Sequence, residues 1–368
     1  MLLVDNSPAI TGAYKSISSI TAALKGEIEF TFCLPKGSAA IEDSKALRKT
    51  VTLPFLEIRR HLGVIWYVPI LILNSLRLLA LIRKSGIDVL HVNDLYNMAG
   101  VVIKKIFPRL KVVYHVRLLP SSYSGKLYRI WAALILKYAD CVICVSQSVQ
   151  NNFSASPKVT TISDAIDPAP GPSSRPVRRG DETVDILYLA NYAPGKGHDD
   201  AIRAFAGALR QNSSLRLLMA GGDLGLKKNQ KYLKSLMSLA ARENVADKIR
   251  FMGFVRDTGS LFGNADIFLN FSRSESFSLT CLEALAHGVP VISTDSGGPA
   301  ELFESGVSGI LVPVGDVKAM TDAIVRVSSD RALRQQLGTR GRLHAQQKFS
   351  LRASAEQLRK VYFNVLQE

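Results

Sequence analysis

The segment SESFSLTCLEALAHGVPVIS (274–293) concentrates residue types that handle phosphate and sugar. Phe277 to Ala286 reads as a helix, with Ser278, Leu279 and Thr280 in its first turn. First-turn N–H groups lack intrahelical acceptors and face the positive end of the helix dipole, so they suit an anion. Glu275 stands just before this turn and Glu283 eight residues later, about 12 Å away if the whole stretch is helical. That spacing roughly spans the two sugars of a nucleoside-diphosphate sugar. One carboxylate would accept hydrogen bonds from the donor sugar, the other from the ribose. Taken alone, Glu275 also fits simple dipole complementation, and Glu283 also fits a surface helix.

A second anion feature is NYAPGKGH (191–198), where an apolar run ends in a Pro-Gly turn carrying Lys196. A lysine there is a mobile point charge suited to a diphosphate or, more plainly, an exposed turn residue. It is not a P-loop, since no Ser or Thr follows Lys196. Polar and glycine residues also close other apolar runs: Gly12, then His91 with Asn93 and Asp94, then His115 with Arg117, Gly221 with Gly222, and Asp295 to Gly298. Asn93, Asp94 and Arg117 are candidates for the acceptor side, and Asn191 and Gly222 for the donor side.

Such residues need a scaffold that places strand ends together. Short Val/Ile/Leu-rich runs alternate with helical stretches twice over. In the first half, 2–5, 27–35, 89–93, 111–116, 140–146 and 159–163 read as strands. In the second half, 185–190, 215–221, 248–254, 266–272, 290–295 and 309–313 do so, with helices near 198–210, 228–243, 276–287 and 317–327. Two further helices, 331–347 and 351–366, close the chain. This is an α/β pattern of two Rossmann-like, doubly wound parallel-sheet domains facing a cleft, whose ligands sit beyond the carboxyl ends of the strands. The expected domains are 1–167, joined by a C-terminal helix at 351–368, and 183–350, with a proline-rich linker at 168–182.

Composition narrows the class. The 368 residues are 47% hydrophobic, which excludes a mainly disordered chain. Cys141 and Cys144 are spaced for a strand and point to opposite faces, so they read as buried thiols rather than a metal pair. No Asp-x-Asp occurs, and no metal or cofactor is expected. The net charge of +15 is uneven: residues 1–165 hold twenty Lys and Arg against ten Asp and Glu. No nucleic-acid motif accompanies this charge, so nucleic acid is not an expected partner. An anionic membrane or substrate fits better. The stretch 62–82 is apolar but interrupted by Pro69, Asn74, Ser75 and Arg77, and reads as a packed or membrane-facing helix rather than a span. A second apolar and basic helix surrounds Lys126, Arg129, Trp131 and Lys137. The N-terminal residues read as a first strand rather than a signal peptide. The expected location is cytoplasmic, peripheral on the inner face of the plasma membrane.

Together these segments resemble the retaining glycosyltransferases of family 4 (group 1), which have the GT-B fold. The resemblance rests on Glu275 and Glu283 separated by seven residues, on SGGPAEL (296–302) and on GILVP (309–313). It implies that Glu275 contacts the donor sugar, that Glu283 holds the ribose and that backbone amides between them hold phosphate. It also implies a glycine loop at Gly12 and an active-site histidine at His115. Departures are Asn191 where the family has arginine, Ser276 and Ser278 at common glycine positions, and Asp164-Ala165 for Asn-Gly.

The implied activity is transfer of a sugar from a UDP-, GDP- or other nucleotide-sugar donor to a sugar or lipid-linked acceptor, with retention and without a metal. Lys196 and the turn at 278–280 would stabilise the leaving diphosphate, Glu275 the sugar ring, and His115 would contact sugar or phosphate. A nucleotide-sugar epimerase of related architecture and a non-catalytic binding subunit remain alternatives.

Overall fold

The computed structural model describes residues 1–55, 63–122, 125–167 and 183–367. These divide into two units, Met1–Ala165 with Leu351–Glu368, and Ile166–Ser350. The expected linker 168–182 lies outside the described residues.

Unit 1 runs β1 (Leu2–Val4), α1 (Gly12–Ala23), β2 (Thr31–Pro35), α2 (Ala40–Leu47), β3 (Lys49–Leu53), α3 (Gly63–Ser85), β4 (Val89–Val92), α4 (Ala99–Ile106), β5 (Lys111–Val116), α5 (Gly125–Tyr138), β6 (Cys141–Cys144), α6 (Gln147–Gln150) and β7 (Val159–Thr161). Its strands form one parallel sheet in the order β3-β2-β1-β4-β5-β6-β7. Side chains of β1, β2, β4 and β6 are wholly buried, as strands covered on both faces must be. β3 was not expected, because KTVTL mixes basic and hydroxyl residues. It is a half-exposed edge strand.

Unit 2 runs β8 (Val184–Leu189), α7 (His198–Leu209), β9 (Leu215–Ala220), α8 (Lys227–Arg242), β10 (Ile249–Met252), α9 (Thr258–Gly263), β11 (Ile267–Asn270), α10 (Leu279–Ala286), β12 (Val291–Thr294), α11 (Pro299–Leu302), β13 (Ile310–Val312), α12 (Val317–Ser329) and α13 (Arg331–Lys348). Its parallel order is β10-β9-β8-β11-β12-β13. Asp316 and Asp330 cap α12 and α13, each accepting a hydrogen bond at 2.9 Å from an N–H three residues on. The core gathers the inward faces of α7, α8 and α12 against β8, β9 and β11.

A last helix, α14 (Leu351–Gln367), packs beside α1 on one face of the unit 1 sheet, burying Ala355, Leu358, Tyr362 and Val365. α3, α4 and α5 lie side by side on the other face. Trp131 is not part of an outward surface there. It is 7% exposed and meets Tyr96 edge-on at 4.7 Å, leaving Leu127 and Ile130 outside. All four cysteines are free and buried.

Candidate functional site

In each sheet the strand order reverses once, between β1 and β4 and between β8 and β11. The loops leaving such neighbouring strands diverge and leave room for a ligand at their carboxyl ends.

In unit 2 the loop after β8 meets the loop after β11. Arg273 N donates to Gly195 O at 2.9 Å. Tyr188 ties the two together, its hydroxyl donating to Lys196 O and accepting from Phe271 N at 2.9 Å. Burial holds the Tyr188 hydroxyl protonated, well above its usual pKa. Gly197 allows the approach. Its φ is +71°, and a Cβ there would sit 1.9 Å from Phe271 O. On this frame Lys196 Nζ meets Glu275 Oε1 at 2.7 Å. The lysine is about a third exposed and the glutamate less, so the pair lies at the surface.

Glu275 is held by its backbone as well. Its N–H donates to Ser296 O at 3.0 Å, and Gly298 N donates back to Glu275 O at 2.8 Å. A Cβ on Gly298 would come within 2.3 Å of Phe277 Cα, which is why SGG serves at 296–298. Glu275 is therefore in an extended bridge with Gly297, not in a helix. The expected helical start at Phe277 is corrected: α10 begins at Leu279, and the 12 Å figure, which assumed helix throughout, does not apply.

Ser278 explains the late start. It caps α10 at φ +80°, ψ +81°, a conformation glycine adopts without cost. Its hydroxyl is fixed by Asn270 Nδ2 at 2.7 Å. Asn270 also donates to Cys281 Sγ at 3.3 Å, and burial pushes that thiol up to about 11. The turn leaves the Leu279 and Thr280 N–H groups without intrahelical acceptors. Glu283 lies on α10, with Thr258 Oγ1 at 3.4 Å from its Oε2 and His287 bonded to its carbonyl. Asn191 is exposed, its Oδ1 3.6 Å from where a Cβ of Gly222 would lie. Arg273 pairs with Asp200 at 3.2 Å. Burial, then Asp199, raises the Asp200 carboxyl, while Arg273 and Arg203 oppose that shift.

Tyr188, Asn270 and Thr258 escaped the sequence reading. The visible trace was a polar residue ending an apolar run, as in IFLN before Phe271. Tyr188 gave no signal, because an aromatic inside a strand reads as core.

Unit 1 spends its polar strand ends differently. Asn93 Nδ2 donates to Asp5, Asn6 Nδ2 donates to Asp94 at 3.0 Å, and Asn97 Nδ2 donates to Asn6 at 2.9 Å. Arg117 donates from Nε to Asn93 Oδ1 at 2.7 Å and pairs with Asp164, which also accepts from Ser16. Asn93 and Arg117 are buried within this network, and Asp94 is bonded within it. His115 lies in the same buried environment. It is 1% exposed beneath the face covered by α1 and α14, near the His91 ring, and Arg117 Nη2 lies 3.5 Å from its Nδ1. Burial first, then Arg117 and His91, hold its imidazole neutral, well below the ordinary histidine range. Its Nε2 is buried without a partner. Gly12 opens α1 behind the Thr11 cap. It belongs to unit 1, whereas Asn191, Lys196, Gly222, Glu275, Ser278, Leu279, Thr280 and Glu283 share one edge of unit 2. Among the described residues, no group of three or more His, Cys, Asp or Glu is placed to hold a metal ion.

Two doubly wound parallel-sheet units define the GT-B class. Residues 10–169 match the family model described as Glycosyltransferase Family 4, and residues 173–344 that of Glycosyl transferases group 1. The chain belongs to this family of glycosyltransferases. It is 34% identical over 187 residues to the D-inositol 3-phosphate glycosyltransferase of Saccharomonospora viridis, covering 49% of this chain and 43% of that one. It is 26% identical over 218 residues to the lipopolysaccharide core biosynthesis glycosyltransferase LpsE of Rhizobium meliloti, covering 55% and 58%. The chain thus spans about half the length of these relatives. Anabaena Alr3699/HepE, crystallised in complex with UDP and glucose, shares the fold with a TM-score of 0.83 at 21% identity over 98% of both chains.

Proposed function

We propose that the chain transfers a hexose from a nucleoside-diphosphate sugar to a lipid-linked or envelope-glycan acceptor, with retention at the anomeric carbon. The observation that carries this reading is the Lys196–Glu275 pair beside the Ser278 cap, at the switch point of unit 2. A diphosphate at the turn would draw Lys196 from Glu275, since a leaving group gaining negative charge is the stronger partner. The α10 N–H groups add fixed dipoles that need no reorganisation as charge develops. Freed of the lysine, the Glu275 carboxylate can stabilise positive character on the sugar ring. Glu283 holds the ribose. His115 acts as a positioning residue through Arg117 rather than as a contact. Lysine and backbone dipoles do the charge-neutralising work, so the reading is metal-independent.

One of the two relatives, LpsE, supports this class of acceptor, while the other is named for D-inositol 3-phosphate. Lipopolysaccharide core is assembled at a membrane, which suits a cytoplasmic enzyme peripheral to the inner face. UDP is the first nucleotide to try, given the HepE complex. A thermal-shift panel of nucleoside diphosphates and their sugars tests the reading. A true donor at about 100 times its Kd should add about 2.7 kcal/mol of stability. No shift with any nucleotide would overturn the donor reading. Binding without transfer to any acceptor would favour the binding-subunit alternative that Asn191 suggests.

A further inference from the structure

Helix α3 buries two polar side chains and leaves several large apolar ones exposed. Toward the sheet it buries Asn74 and Ser75 along with Leu78, Leu79 and Ile82. Asn74 Nδ2 is satisfied by Pro54 O at 2.9 Å and Ser75 Oγ by Leu71 O at 2.7 Å. Outward it presents Trp66 (64% exposed), Val68, Ile72, Leu73 and Leu76 (52%). Trp66, Leu73 and Leu76 follow one helical stripe, and Val68, Ile72 and Leu76 the adjoining one. A contiguous outward apolar face of this kind marks an interaction site.

By length and composition the helix could cross a bilayer, since Trp66–Ser85 is 20 residues with mean hydropathy 1.4. Its attachment argues otherwise. Tyr67 Oη donates to Tyr96 O at 2.7 Å, Asn74 is tied to Pro54, and the inner face packs into unit 1 beside α4. A helix fastened along its length to a water-soluble sheet cannot be surrounded by lipid. It can lie flat on a membrane.

Charge selects the occupant. From 63 to 138 the chain holds eleven Lys and Arg against two Asp. Exposed members include Arg77, Arg83 and Lys84 on α3, Lys105 on α4, and Lys126 and Arg129 on α5. Ile106 and Ile130 extend the apolar surface over the neighbouring helices. A second copy of this chain would set like charges face to face. An anionic leaflet offers phosphate to the basic residues and acyl chains to the apolar ones.

We propose that α3 is an in-plane docking helix, with Trp66, Val68, Ile72, Leu73 and Leu76 entering the headgroup–acyl boundary of an anionic membrane. This deepens the reading of a membrane-held acceptor, on which only its purpose rests.

The chain has two tryptophans, and Trp131 is buried, so Trp131→Phe leaves Trp66 as the reporter. The full chain is mixed, without donor or acceptor, with phosphatidylcholine vesicles that contain or lack phosphatidylglycerol and carry bromines at shallow or deep acyl positions. Trp66 emission should shift to the blue on anionic vesicles and be quenched most by shallow bromines, at about 5–10 Å depth. Binding should weaken at least about tenfold in high salt. The exposed double change Leu73→Glu and Leu76→Glu should lower binding by about tenfold or more with an unchanged melting temperature. An unshifted Trp66 on anionic vesicles at low salt overturns the proposal. So does strongest quenching at the bilayer centre with resistance to alkaline extraction, the mark of a spanning helix. A concentration-dependent dimer abolished by Leu76→Glu would assign the face to a second copy. An unaltered chain that transfers sugar but does not dock would sink this inference alone, and one that docks but does not transfer would sink the transferase reading alone.

Discussion

The two sheets reverse strand order in the same way, yet their switch points are put to different use. Between β8 and β11 the chain leaves Lys196 and Glu275 at the surface, paired with each other and beside the Ser278-capped first turn of α10. Between β1 and β4 it fills the corresponding place with Asp5, Asn93, Asn6, Asp94 and Asn97, and extends the network through Arg117 to Asp164. One edge keeps its charge available, and the other consumes its polar groups internally. Topology therefore fixes where a site can be, while the pairing of each polar group decides whether a ligand can use it.

The comparison predicts that substitutions at the unit 1 edge cost stability and those at the unit 2 edge cost binding or turnover. The largest effect should come from Arg117→Ala. It leaves Asp164 buried without its cation and should destabilise the chain by about 3–5 kcal/mol in denaturant titration. A loss confined to activity, with stability intact, would move Arg117 to the functional side. Glu283→Ala should show the opposite signature. Nucleoside diphosphate affinity should fall by about 1.5–3 kcal/mol, read by calorimetry, with the melting temperature nearly unchanged. Unaltered affinity removes Glu283 from the ribose.

Acid should act through buried histidines on both edges. Burial pushes His91 down to about 3 and His198 to about 4, and holds His115 well below 6.5. An unfolded chain binds these protons below about pH 6.5, whereas the folded chain does not. Their contribution is complete above that pH and is lost as pH falls toward 4, by up to about 1.4 kcal/mol per pH unit for each ring. Denaturant midpoints that stay flat between about pH 7 and pH 5 would show that the rings titrate normally. The smallest effect is a gain. Asn191→Arg should tighten diphosphate binding about threefold to tenfold, because the exposed side chain beside Gly222 has room for a charge-assisted contact. Weaker binding would mean that the loop has adapted to asparagine.

The unequal legibility of the two halves has the same origin. All six strands of unit 2 were readable, since buried parallel strands are near-continuous apolar runs. β3 was hidden because an edge strand mixes Lys49, Thr50 and Thr52 with Val51 and Leu53. The glutamate pair and the lysine loop were legible as spacing. Their contact was not, because Lys196 and Glu275 lie 79 positions apart and meet only when β8 and β11 become neighbours. Ser278 delayed α10 for a reason that propensity does not encode: its hydroxyl is held by Asn270 in a backbone conformation glycine would favour. The burial of His115, Asn93, Arg117 and Trp131 was not legible, for a common reason. Residue type suggests chemistry, but burial is a tertiary property, and α14, from the far end of the chain, helps to cover the histidine.

The central claim is that the unit 2 edge works by transition-state stabilisation at Glu275, and Glu275→Gln measures it most directly. The amide keeps size and backbone bridge but cannot carry the charge that balances a developing positive sugar. With the donor found in the nucleotide panel, turnover should fall by about 10²–10³ while nucleoside diphosphate affinity stays within about threefold and the melting temperature holds. Near-normal turnover in a folded Glu275→Gln chain would contradict the account.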